Sequence, residues 1–213
     1  MPAASEPREK ILHHARERFF REGFAKISVD ELTSDLSMSK KTFYQAFGSK
    51  DDLLKEIVHR KLAEINSAMD AILLSEKDFL HKFQDFIAYI GNFFSTTSKV
   101  MLADMQKHQP QLWQRIEKFR RERLTKNMTS FLDQGMREGF IRKDVNGRVF
   151  VLAILGSIDS IMQPTVLMHE SFSSNEAFEA IMDVFFKGIL TETGRTQFKK
   201  IQHHRTTSRK ASS

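Results

Sequence analysis

The stretch SVDELTSDLSMSKKTFYQAFGSKDDLL, residues 28–54, holds three helix starts in close succession. Ser28-Val29-Asp30-Glu31 is a capping box, in which the Ser28 hydroxyl and the Glu31 carboxylate satisfy orphan amides reciprocally. Ser39 can cap the next helix, and Ser49, with Asp52 three residues on, the one after it. Val29, Leu32 and Leu36 form the inward stripe of the first of these helices, and Phe43 and Phe47 stand at i and i+4 in the second. Between the two lies only the tight turn Asp35–Met38. The third helix carries Leu53, Leu54, Ile57, Val58, Leu62, Ile65 and Met69 at helical spacing and is expected to run to about Leu74.

Upstream, residues 8–22 place Ile11, Leu12, Ala15 and Phe19 on one face of a further helix, which Gly23 can end in the left-handed conformation. Downstream, hydrophobic periodicity predicts helices near 77–97, 99–106, 111–138, 145–168 and 176–192. The segment 149–162, VFVLAILGSIDSIM, is apolar on nearly all sides, so it needs cover from the body and from a second subunit. Phe178, Ile181, Met182, Phe185 and Ile189 are the partner stripe expected beside it, two helices from each chain making a dimer interface. The fold class is therefore all-α. A small N-terminal domain (1–50) joins, through a long helix, a larger helical body (51–194), followed by a basic tail (195–213) expected to be disordered.

Composition narrows the function classes. The 213 residues include four prolines, nine glycines and no cysteine, which excludes disulfides and thiolate metal sites and fits a reducing cytoplasm. The longest apolar run, Val149–Leu155, is too short to span a bilayer, which needs about 20 residues. The net charge of +6 belongs to the tail: residues 195–213 carry six basic residues and no acid, leaving 27 basic against 27 acidic residues elsewhere. Any case for nucleic acid must rest on local charge.

That local charge lies in residues 37–50. Two short helices separated by a tight turn match a helix-turn-helix, whose second helix lies in the major groove. Lysines there neutralise phosphates, while hydroxyl groups and helix N-terminal amides bond phosphate oxygens. Ser39, Lys40, Lys41, Thr42, Tyr44 and Gln45 are the candidates on that helix; Ser28 caps the helix before it, and Lys50 can reach a flanking phosphate. Phe43 and Phe47 face inward and hold the helix in place.

Residues 11–58 resemble the DNA-binding domain of TetR-family transcriptional regulators. The landmarks fall in order: Phe19-Phe20, Gly23, Ser28, Ser39, Thr42-Phe43-Tyr44, Phe47, and Ser49-Lys50 leading to Leu53-Leu54. The resemblance implies an all-helical homodimer in the bacterial cytoplasm that binds double-stranded DNA at an inverted repeat, usually as a repressor released by a small molecule held in the body. A structural, nucleoid-associated role without an inducer is the alternative, to which the basic tail lends some weight. Four places depart from the family pattern. Ser28 stands where threonine is usual, Leu36-Ser37-Met38 where Ala-Gly-Val is usual, Lys41 where glycine is common, and Ala46 where tyrosine or histidine is common.

For the small molecule, Phe86, Tyr89, Phe93, Trp113, Asn127, Phe131, Asp159 and Met162 lie on helices that enclose a cavity in such an architecture. Asp159, inside the most apolar helix, needs a partner: a cationic ligand, a residue across the dimer, or water. The histidine pairs His13-His14 and His203-His204 are adjacent and share no helix face, and no HExxH spacing, phosphate-cradling glycine loop or serine elbow occurs. No metal, cofactor, catalytic residue or membrane partner is expected.

Overall fold

A computed structural model describes residues 5–210, with side chains given for residues 6–201. Eleven helices follow in order: α1 (Ser5–Glu22), α2 (Val29–Asp35), α3 (Lys40–Ala46), α4 (Lys50–Leu74), α5 (Phe79–Ser95), α6 (Lys99–His108), α7 (Pro110–Arg137), α8 (Gly147–Ile161), α9 (Pro164–Leu167), α10 (Ser174–Ile189) and α11 (Glu192–Lys210). Among the described residues the only β-type pairing is an isolated bridge between Ile141 and Leu190.

The start signals act as expected. Ser28 and Glu31 form both halves of the capping box on α2, Ser39 accepts from the Thr42 amide at the head of α3, and Ser49 accepts from the Asp52 amide at the head of α4. Gly23 takes φ 86° to end α1. A Cβ there would lie 2.6 Å from Asp104 Oδ2, so the site also needs glycine for the close approach of α6.

The turn between α2 and α3 is tight, with the Ser37 amide on Ser34 O at 3.0 Å and the Met38 amide on Thr33 O at 2.8 Å. Ser37 makes it at φ 50°, the sole non-glycine positive φ among the described residues. A β-carbon is disfavoured there. Ser37→Gly is expected to stabilise the N-terminal domain by about 0.5–1 kcal/mol, read as a later thermal transition.

Two hydrophobic cores result. The first holds Ile11, Ala15, Phe19, Leu32, Phe43, Phe47, Leu53, Leu54 and Ile57, together with Met101, Met105 and Trp113 from α6 and α7. The expected boundary at 50/51 therefore cuts through this core, because the first two turns of α4 belong to it. The second core fills the body with stacked and edge-on phenylalanines, Phe79, Phe83, Phe86, Phe131, Phe178 and Phe186 among them.

Three expectations change at the C-terminal end. The predicted helix 145–168 is broken into α8 and α9, with Pro164 restarting the chain at the head of α9. The predicted disordered tail is helical through Lys210. Phe198 is buried and Ile201 packs against the body core, so two apolar residues anchor the helix despite its charge. His203, His204 and the basic residues after them lie outside the residues whose side chains are described. Finally, Phe178, Ile181, Met182 and Ile189 of α10 are buried in the chain's own core. The face of α10 left outward is instead Ala180, Val184 and Gly188.

Candidate nucleic-acid interface

Helix α3 is short, and its position is set from beneath. Phe43 is fully buried and Phe47 nearly so, and the Arg8 guanidinium of α1 lies 4.6 Å above the Phe47 ring. Helix α2 is fixed from its far end, where Asp35 accepts from Arg18 at 2.7 Å and meets the His14 ring at 2.8 Å. These partners hold the Asp35 carboxyl below the usual carboxylate range. Arg18 also grips Glu22, whose carboxyl is drawn down to about 2, first by Arg18 and then by Arg21.

With the phenylalanines inward, the opposite side of α3 faces solvent. Lys40, Lys41, Tyr44 and Gln45 are all exposed, and Tyr44 keeps 53% of its surface free while its ring stands edge-on to Phe43 at 5.4 Å. Lys41 has no ion-pair or hydrogen-bond partner among the described residues. Lys40 pairs with Asp30 of α2 at 2.7 Å, and this hydrogen bond raises its pKa. Both groups are more than half exposed, so the pair is weak and yields readily to a phosphate. Ser28 and Ser39 are exposed and already serve as caps. Thr42 is half-buried, its hydroxyl 3.0 Å from that of Ser39.

Lys50 is placed differently from the expectation. Its ammonium donates to Ile27 O at 2.7 Å, Phe24 O at 2.8 Å and Ala25 O at 3.3 Å, and lies 5.6 Å from the Phe24 ring centre. Burial pushes its pKa down. Three carbonyls of the α1–α2 loop thus occupy all three N–H groups, and the ammonium is turned inward rather than toward a flanking phosphate. Lys50→Met is expected to destabilise the N-terminal domain by about 2 kcal/mol, because it orphans loop carbonyls bonded to a charged donor. The salt dependence of DNA binding should keep its slope; a slope lowered by about one would restore Lys50 to phosphate contact. Lys26, absent from the expected set, is exposed two residues before Ser28 and has no ion-pair or hydrogen-bond partner among the described residues. Its signal was available as a basic residue beside a hydroxyl cap.

The eight residues expected around a small molecule do not converge. Phe86 and Phe131 sit edge-on at 5.6 Å in the body core, where Met162 is also buried. Phe93 meets Phe20 of α1 at 6.3 Å and the Lys61 ammonium at 5.4 Å. Trp113 belongs to the N-terminal core, and Tyr89 is half-buried, which raises its phenol pKa. Asp159 has its partners within the chain: Arg120 at 2.8 Å and Arg121. Asn127 is 2% exposed. Trp113 Nε1, Arg120 Nε and Asn127 Oδ1 are buried without a hydrogen-bond partner. They recur every seven residues, on one face of α7.

Fold and interface together define a helix-turn-helix DNA-binding protein with a helical body. Residues 11–57 match the family described as bacterial regulatory proteins, tetR family. An uncharacterized HTH-type transcriptional regulator of Bacillus subtilis, YvaF, is 24% identical over 185 residues, covering 86% of this chain and 96% of that protein. A TetR-family transcriptional regulator from Agrobacterium tumefaciens has a similar structure (TM-score 0.63, 17% identity, 88% of this chain and 100% of that one). So does a putative transcriptional regulator from Saccharomonospora viridis solved in complex with choline (TM-score 0.65, 18% identity, 88% and 100%). Residues 11–57 are thus a DNA-binding domain of the TetR type, and the rest of the chain shares the helical fold of the regulators above. Among the described residues no helix is long and apolar enough to cross a membrane.

Proposed function

We propose that this regulator is a cytoplasmic repressor that binds an inverted-repeat operator as a homodimer and is released by a small molecule, with no catalytic activity of its own. The observation that carries the reading is the outward face of α3. Lys40, Lys41, Tyr44 and Gln45 are exposed on a helix seated by two buried phenylalanines. Lys41, unlike Lys40, has no ion-pair partner among the described residues, and it stands at a position where glycine is common in the family. It is therefore assigned to operator choice, while Ser28, Ser39, Lys40, Thr42 and Tyr44 hold the backbone and Gln45 faces base edges.

Support for the dimer comes from the surface of α8 and α10. Val149 is 60% exposed, Leu152 54% and Val184 70%, and Ala153, Gly156, Ala180 and Gly188 are exposed beside them. Small residues between apolar ones let two helices from each chain approach closely. Support for an effector comes from Arg120 Nε and Asn127 Oδ1, two orphaned polar atoms two turns apart on one face of α7, which a polar ligand could satisfy. Choline in the Saccharomonospora viridis structure shows a regulator of this fold holding a small molecule. Such a ligand acts by preferring the dimer geometry that cannot span two successive major grooves.

Anisotropy titrations on selected duplexes across a salt series test the assignment. Affinity should fall steeply with salt. Lys41→Ala should change the ranking of operator variants as well as the affinity; a loss uniform across sequences would make Lys41 a phosphate contact.

A further inference from the structure

A groove of about 710 Å³ runs between the end of α4, the start of α5 and the C-terminal third of α7. Leu73 and Leu74 supply its apolar wall, and Leu74 is 84% exposed, the most exposed large hydrophobic residue described. Lys126, Ser130, Gln134, Arg137 and Glu138 line it from α7, and their spacing keeps them on one face. Lys126 and Arg137 are separated by about 16 Å of helix rise.

The charges in this groove do not balance. Its two acids are engaged: Asp70 faces Arg123 at 3.4 Å, and Glu138 accepts from the Phe79 amide at 2.8 Å and from Gln134 Nε2 at 2.6 Å. Its cations are under-neutralised. Lys126 and Arg137 have no ion pair or hydrogen bond among the described residues. Lys82 is 6% exposed, yet its ammonium donates to a single neutral acceptor, Leu73 O at 2.7 Å. A buried ammonium with one carbonyl and no counter-charge is a costly arrangement that an anion would relieve.

We propose that this groove binds a small amphipathic anion, a carboxylate or phosphate head meeting Lys82 with Lys126 or Arg137 and an apolar chain lying over Leu73 and Leu74. The site is lined by residues of α4, α5 and the end of α7 and uses none of the orphaned atoms of α7 and no residue of α8 or α10. It does not depend on the operator reading, because its test measures binding alone.

The full chain is titrated by calorimetry with octanoate, octyl phosphate, octanol and inorganic phosphate. Binding of octanoate, octyl phosphate or both is expected, with the stronger of the two naming the head group. Octanol and inorganic phosphate should each bind at least tenfold more weakly. Lys126→Glu with Arg137→Glu, both exposed and unpartnered, should cut the affinity at least tenfold without moving the thermal transition. Leu74→Asp should weaken it as well. The proposal is overturned if neither amphiphile binds, if octanol or inorganic phosphate binds as well as they do, or if the double charge reversal leaves their affinity intact.

Discussion

Phe43→Ala is expected to abolish DNA binding while the body stays folded. The Phe43 ring is fully buried, 5.4 Å from Tyr44 and 6.1 Å from Phe47, and it is the buried anchor of a seven-residue helix. Truncating a buried phenylalanine costs about 3–5 kcal/mol. A small domain has few kcal/mol in hand, so α3 loses its fixed position. Trp113 is the chain's single tryptophan and lies in the same core, so its fluorescence reports this loss. The variant should show an early fluorescence transition, a later helical one from the phenylalanine core of the body, and operator affinity down at least 100-fold. Affinity within a few-fold of the wild type would remove Phe43 from the seat of the recognition helix.

Asp159→Ala is expected to lower the stability of the body by about 3 kcal/mol. Asp159 is the one carboxylate paired with Arg120 and Arg121, and the side chains of Asp159 and Arg120 are 25% and 24% exposed. Removing it leaves a mostly buried guanidinium whose Nε already has no partner. In a chain of this size such a loss lowers Tm by about 6–12 °C. Arg120→Met in the same chain should restore a large part, since exchanging both partners for apolar groups is often near neutral. An unchanged Tm in the single variant would mean that the pair is solvated and that Asp159 is free for another partner.

The outcome for particular residues shows which features were legible in the sequence. Caps and short helices depend on residues three or four apart, so Ser28 with Glu31, Ser39 with Thr42 and Ser49 with Asp52 could be read directly. Lys50 could not. The carbonyls that hold it come from residues 24–27, over twenty positions earlier, and only the fold brings them to its ammonium. The α10 stripe is legible as apolar, but periodicity gives a face and not what the face meets. Phe178, Ile181 and Met182 meet their own core, leaving Val184 outward. For the tail, charge outweighed Phe198 and Ile201, three residues apart, which suffice to lay its first turns on the body. The eight ligand candidates share only membership of the body helices, and helices that share a body need not share a cavity.

Selection of binding sites by the purified chain from a pool of random duplexes, followed by footprinting of the winners, tests the central claim most directly. One family of two-fold symmetric sequences should emerge, protected over half-sites whose centres fall about one helical turn, roughly 34–36 Å, apart or a multiple of it. A pool that emerges without an enriched sequence, or with protection scattered along every duplex, would contradict that claim.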